Sequence, residues 1–253
     1  MSRPVRFVLA LLALLALLPG IAAMVGDMPN FGDHPLPYGD EINRSAVGER
    51  HVTNMVTAVN FDYRGIDTIG EEYMLLAAVS GTMVLLRGRR GEKVSAQPAQ
   101  ASGRLIPPRS DAVVLVCRFF GPVLLLFAVY VVLHAQLTPG GGFQGGAIAG
   151  SGMLLIYLGE GYRRWRELMP AHAFDAAEAV GALIFIGAGF GPMLAGAAFL
   201  QNMLDLGQTR ALISGGLIPV ENAGVAIAVA AGFVLLFSEF LEETRATKPD
   251  DDA

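Results

Sequence analysis

The chain has 253 residues, 53% hydrophobic and 16% charged, with a net charge of −5 and a mean hydropathy of +0.49. A soluble domain carries about 25% charged residues, so this composition excludes an ordinary water-solvated globule, and its acidity argues against a nucleic-acid partner. The single cysteine, Cys117, excludes an internal disulfide; within an apolar run it reads as a packing residue.

A helix needs about 20 mostly apolar residues to cross a bilayer. Six segments approach that length: 5–25, 67–88, 111–134, 142–160, 174–195 and 218–240. The first, FVLALLALLALLPGIAA, has the basic flank (Arg3, Arg6) and small residues (Ala22, Ala23) of a cleavable signal. Its apolar run continues to Val25, long enough to span, and we read it as a retained helix.

Residues 26–65 begin as turn-rich loop and then change character. In HVTNMVTAVNFDYRG, Val52, Met55, Val56, Val59 and Tyr63 recur with helical period. This predicts a short amphipathic helix over 51–63, too short to span, lying along the membrane surface or against a partner.

The second span is uncharged only from Tyr73 to Leu86 and reaches spanning length only if Asp67, Glu71 and Glu72 are drawn in. An Asp at a helix centre costs about 2.5–3.5 kcal/mol even on mild insertion scales. Carboxylates at such depth therefore face water or a partner, and they suit proton or cation relay. Asp67 and Glu71, four apart, share one helix face, with Glu72 turned about 100° away. Thr68 and Glu71 also fit a capping box, with Ile69 opening the helix.

A polar linker, 89–110, separates this two-span front part from a four-span back part. His134 closes the third span, and TPGGGFQGG follows. Pro139 reads as a stop, Gly140, Gly141 and Gly142 as a tight re-entry, and Phe143 as its one bulky anchor. Gly142, Gly146 and Gly150 recur every four residues, with Gly145 and Ala149 as a second small pair, which predicts a smooth face for close helix packing. In the fifth span Glu178 is the deepest carboxylate, with Asp175 on its face; pairing of these acids with Arg163 to Arg166 competes with an ion-path reading. Glu221 follows Pro219 and reads as a first-turn acid complementing the helix dipole. The sequence has no metal-type cluster, no phosphate-binding loop and no nucleophile elbow, so no cofactor or metal is expected.

With the N-terminus inside, thirteen Lys and Arg fall on the inner segments and four on the outer ones, which predicts both termini in the cytoplasm. The expected fold is an all-α membrane protein with about six transmembrane helices plus one short amphipathic helix. Its parts are a two-span module (1–88), the cytoplasmic linker, a four-span domain (111–245) and a charged tail (246–253).

LHAQLTPGGGFQGGAIAG, residues 133–150, closely resembles the signature of the MnhB-type component of Mrp (Mnh) multisubunit cation/proton antiporters, although Ala135 and Gln136 depart from the usual run before the Pro-Gly-Gly-Gly-Phe. The segment RHVTNMVTAVNFDYRGIDTIGEEYML, residues 50–75, resembles the C-terminal part of the large A-type component of the same complexes. It is also similar to the small E-type component of membrane-bound hydrogenases, matching RGxDTxGE at Arg64, Gly65, Asp67, Thr68, Gly70 and Glu71. The resemblance implies a fusion of an A-type tail with an MnhB-type domain. Such a chain is an integral membrane subunit in a bacterial inner membrane, not a stand-alone enzyme. It would support or line a path for Na+ (or K+) and H+ beside larger proton-translocating subunits, with Asp67, Glu71, Glu72 and Glu178 as ion-path candidates. The alternative is a membrane-arm subunit of a membrane-bound hydrogenase or another redox-driven pump.

Overall fold

The computed structural model describes residues 3–28, 37–86 and 110–246. All of the expected linker except Ser110, and the tail beyond Ala246, lie outside them. The described residues are predominantly helical, and their only β-type pairing is an isolated bridge between Gly207 and Ser214.

The chain divides into two units, Met1–Glu41 and Ile42–Ala253. The first holds α1 (Arg3–Gly26) and the start of α2 (Pro37–Arg50). The second holds the rest of α2, α3 (Met55–Ala58) with a π-helical turn (Val59–Tyr63), α4 (Gly65–Leu86), α5 (Asp111–Leu133), α6 (Gly142–Glu160), α7 (Tyr162–Leu168), α8 (Ala171–Leu194) and α9 (Ile218–Ala246). Four of these helices, α4, α5, α8 and α9 through Leu241, are long and apolar enough to cross a membrane, and α1 contains a shorter apolar stretch, Leu11–Gly26. The sixth candidate, α6, has 19 residues, six of them buried glycines that lower its hydropathy.

Local sequence explains the ends of these helices. Ser110 caps α5, its Oγ accepting from Val113 N. The start of α6 is capped across space, because Asn222 Oδ1 accepts from Gly142 N at 2.8 Å. Gly161, at φ 91°, takes the left-handed conformation that ends α6 and starts the turn into α7.

The second unit packs around α9. A Cβ on Gly142 would lie 2.7 Å from Val225 Cβ, one on Gly146 2.7 Å from Val229 Cβ, and one on Gly150 2.7 Å from Phe233 Cβ. The every-fourth-residue stripe of α6 is therefore filled by α9 of the same chain, not by a partner. Gly145, Gly152 and Gly159 face α5 instead, against Val132, Leu124 and Cys117. Opposite α6, the helix α8 crosses α9 at Gly181 and Gly224, where a Cβ on Gly181 would sit 2.5 Å from Gly224 O. With no hydrophobic drive between helices in lipid, such backbone approach supplies the packing that holds them together.

The amphipathic helix expected over 51–63 is not formed as read. Residues 51–54 are not helical, with His51 at φ 54°; a four-residue α-turn follows, and the π-turn then changes the period. Val56, expected on the buried face, is 63% exposed, while Thr57, Ala58 and Phe61 are buried. The segment lies against its own chain. Thr53 N and Asn54 N both donate to Gln136 O, Thr53 Oγ1 donates to Leu137 O, and Asn54 Nδ2 donates to Ala135 O and Thr138 O. Phe61 packs on Phe185 of α8 with ring centroids 5.7 Å apart and the rings tilted by 51°. The front segment thus clamps the turn between α5 and α6.

Candidate functional site: buried carboxylates around α9

Helical period sorts the acids of α4. Gly65, Thr68, Glu72, Val79 and Met83 are the buried residues of this helix and share one face. Val79 lies beside Gly232, and Met83 clusters with Leu235, so that face meets α9 and the two helices run in the same direction. Glu72 is 2% exposed, and neither of its carboxylate oxygens has a hydrogen-bond partner. Asp67 and Glu71 are exposed; Asp67 pairs with Arg64 at 2.5 Å. The capping box is not formed. The helix starts at Gly65, and Thr68 Oγ1 donates instead to Asn60 O at 2.6 Å, tying α4 to the π-turn.

On α8, Glu178 is 7% exposed and its Oε1 lies 3.0 Å from where a Cβ on Gly232 would stand, with Val79 Cγ2 3.2 Å from the same point. Glycine at 232 therefore makes room for the Glu178 carboxylate at the junction of α4, α8 and α9. The inner-edge pairing expected for Glu178 is taken elsewhere. Arg163 and Arg164 pair with Glu167, Arg166 lies over the Tyr162 ring, and Arg118 holds Glu160 through both carboxylate oxygens.

Glu221 stands in the first turn of α9, as the dipole reading requires, but it is fully buried and both of its oxygens are unpartnered. Asp62, on the π-turn, is the nearby charged group acting on it. Asp62 is itself held, accepting from Arg50 Nε at 2.6 Å and from Asn202 Nδ2 at 3.0 Å. Asn202 in turn donates to Gly215 O and accepts from Leu217 N, fixing the loop that leads into α9.

The glycine turn is structural in this geometry. His134 Nδ1 lies 3.1 Å from Tyr130 O, with its ring 4.2 Å from the Tyr130 ring. Phe143 packs on the core formed by Ile218, Val225 and Val229. Pro139 is exposed, and Gly141, Gly142, Gly145 and Gly146 are buried. Arg64 is exposed, and Gly65 packs under Leu200. Gln136 is buried, its Nε2 donating to Leu133 O and to Leu212 O. The departure at 135–136 thus supplies a residue that joins the turn to the loop before α9. Among the described residues, no group of three His, Cys, Asp or Glu is placed to hold a metal ion.

A bundle of long apolar helices with carboxylates enclosed at its centre defines a multi-pass α-helical membrane protein. Residues 112–235 match the family described as a domain related to the MnhB subunit of Na+/H+ antiporter. The chain is 37% identical over 83 residues to the B-type subunit of the Na(+)/H(+) antiporter of Alkalihalophilus pseudofirmus, covering 33% of this chain and 57% of that one. It is 28% identical over 165 residues to a probable K(+)/H(+) antiporter protein of Rhizobium meliloti, whose name joins the A and B types; the match covers 59% of this chain but only 16% of that larger protein. Among solved structures, a chain of the archaeal membrane-bound sulfane sulfur reductase superposes with a TM-score of 0.66 at 27% identity, over 94% of this chain and 98% of that one. A chain of the Mrp complex from Dietzia sp. DQ12-45-1b shares the fold, with a TM-score of 0.68 at 23% identity over 100% of this chain and 27% of that one.

Proposed function

We propose that this protein is an integral subunit of a multisubunit monovalent cation/proton antiporter, with Na+ as the cation exchanged for H+. In this reading it catalyses no reaction alone. It supports or lines the ion path and assembles with larger proton-translocating subunits in a bacterial inner membrane, with six spans and both termini cytoplasmic. The front module (1–88) corresponds to the end of an A-type component, joined through 89–110 to the MnhB-type domain (111–245). The observation that carries the reading is the MnhB-related domain at 112–235. The Rhizobium meliloti relative, which joins the two types in one name, supports the fusion.

The path candidates divide by burial. Glu178 stands at the enclosed α4/α8/α9 junction, Glu72 is enclosed on the same face of α4 about 10 Å away, and Asp67 and Glu71 are exposed. A second reading, a membrane-arm subunit of a redox-driven complex, draws on the likeness to the sulfane sulfur reductase chain; the antiporter proteins among the relatives favour the first.

Affinity purification of the tagged chain from its native membrane tests the assignment. The expected result is stoichiometric recovery of large proton-translocating antiporter subunits. Recovery of a hydrogenase-type catalytic subunit would move the assignment to the second reading. A stable monomer with no partner would refute both.

A further inference from the structure

Glu221 and Glu72 have a feature in common. Each is at least 98% enclosed, and all four carboxylate oxygens lack a hydrogen-bond partner. An ionised carboxylate without a donor or counter-ion is too costly to bury, so such a group must exchange a proton or meet a transient partner. The two stand on parallel neighbours. Glu72 is seven residues before Val79, which lies beside Gly232, and Glu221 is eleven residues before Gly232. At 1.5 Å per residue the two carboxylates differ in depth by about 6 Å, and Glu178 lies about 10 Å below Glu72.

We propose that Glu221 is a proton-relay residue that works with Glu72 and hands on to Glu178, forming a line along the α4/α8/α9 interface that opens at Asp62. We take the ion to be a proton because a desolvated metal cation needs several oxygens converging on one point, and among the described residues no three His, Cys, Asp or Glu side chains converge. Because the carboxylates stand about 6 and 10 Å apart in depth, each step passes through intervening water: the O–H bond of one carboxylic acid breaks as a water takes its proton, and a water gives up a proton to form the O–H bond on the next carboxylate; the coupled cation flux balances the charge. The charged groups facing the line are Asp62 with its bound Arg50 at the α9 entry, Asp175 one turn from Glu178, and Glu239 farther along α9. The direction of transfer rests on the antiporter reading; the protonation of Glu221 does not.

The test uses the whole complex carrying Glu221→Gln, Glu221→Asp or Glu178→Gln, reconstituted in vesicles with a trapped pH dye. Glu221→Gln is expected to reduce sodium-dependent proton flux at least tenfold, Glu221→Asp to retain a substantial part of it, and Glu221→Gln with Glu178→Gln to be no worse than the poorer single variant. Infrared difference spectra in H2O and D2O should show a protonated-carboxyl band in the native complex that Glu221→Gln removes. Flux within twofold of native in an assembled Glu221→Gln complex would overturn the proposal, as would an unchanged infrared band. If the native complex carries no exchange at all, the antiporter reading falls, and the infrared band alone decides whether Glu221 holds a proton.

Discussion

Gly146→Leu is expected to abolish folding of the second unit, and Gly146→Ala to weaken it clearly. The added Cβ alone would meet Val229 Cβ at 2.7 Å and Ala226 O at 2.9 Å. The second neighbour is backbone, which cannot rotate away. The helices must therefore separate, opening the α6/α9 seam from Gly142 to Gly150. Overpacking a tight core costs about 1–3 kcal/mol, and in lipid no hydrophobic gain offsets the lost contact. Gly181→Leu should be as severe, since its Cβ would stand 2.5 Å from both Gly224 O and Ala228 N. Gly187→Leu, with open space around its Cβ position, should be tolerated. The measurement is the yield of full-length chain in membranes and its recovery with the complex.

The second large effect concerns the two neighbouring acids of α4. Glu72→Gln is expected to lower cation/proton exchange at least tenfold in an assembled complex, and Glu71→Gln less than threefold. Both changes keep side-chain size and remove only the titratable charge. Glu72 lies on the α9-facing side with unpartnered oxygens, whereas Glu71 is exposed, one residue and about 100° round the helix. The substitution at 72 should also raise the thermal stability of the chain, because an amide is cheaper to bury than a carboxylate. Equal losses at both positions would show that the exposed side carries the ion as well.

The sequence made the architecture legible where periodicity is strong and chemistry local. The apolar run of α5 falls where expected, and the glycine spacing of α6 announces close helix packing. What spacing could not name was the partner. The stripe meets Val225, Val229 and Phe233, each 83 residues downstream, so α9 of the same chain fills it. The region 51–63 misled for a related reason. The helical period runs through residues 53 and 54, which bond to Gln136, Ala135 and Thr138 outside any helix, and through a π-turn that shifts the face. For the site, helical geometry separated Glu72 from Glu71 but gave no sign of which faced inward. Glu221 stands in the first turn of α9, as its position after Pro219 predicts; its enclosure comes from tertiary packing, which that position does not reveal. Asn202 and Asn222, which hold the loop before α9 and the start of α6, carry no local signal.

The central claim is that this chain is a working part of a cation/proton antiporter, and sodium-induced collapse of a pH gradient in everted membrane vesicles tests it most directly. Vesicles with the native chain are expected to lose the gradient when Na+ is added. Those lacking only this chain, with the other subunits present, should keep it. Equal collapse with and without the chain, or none in either, would contradict the account.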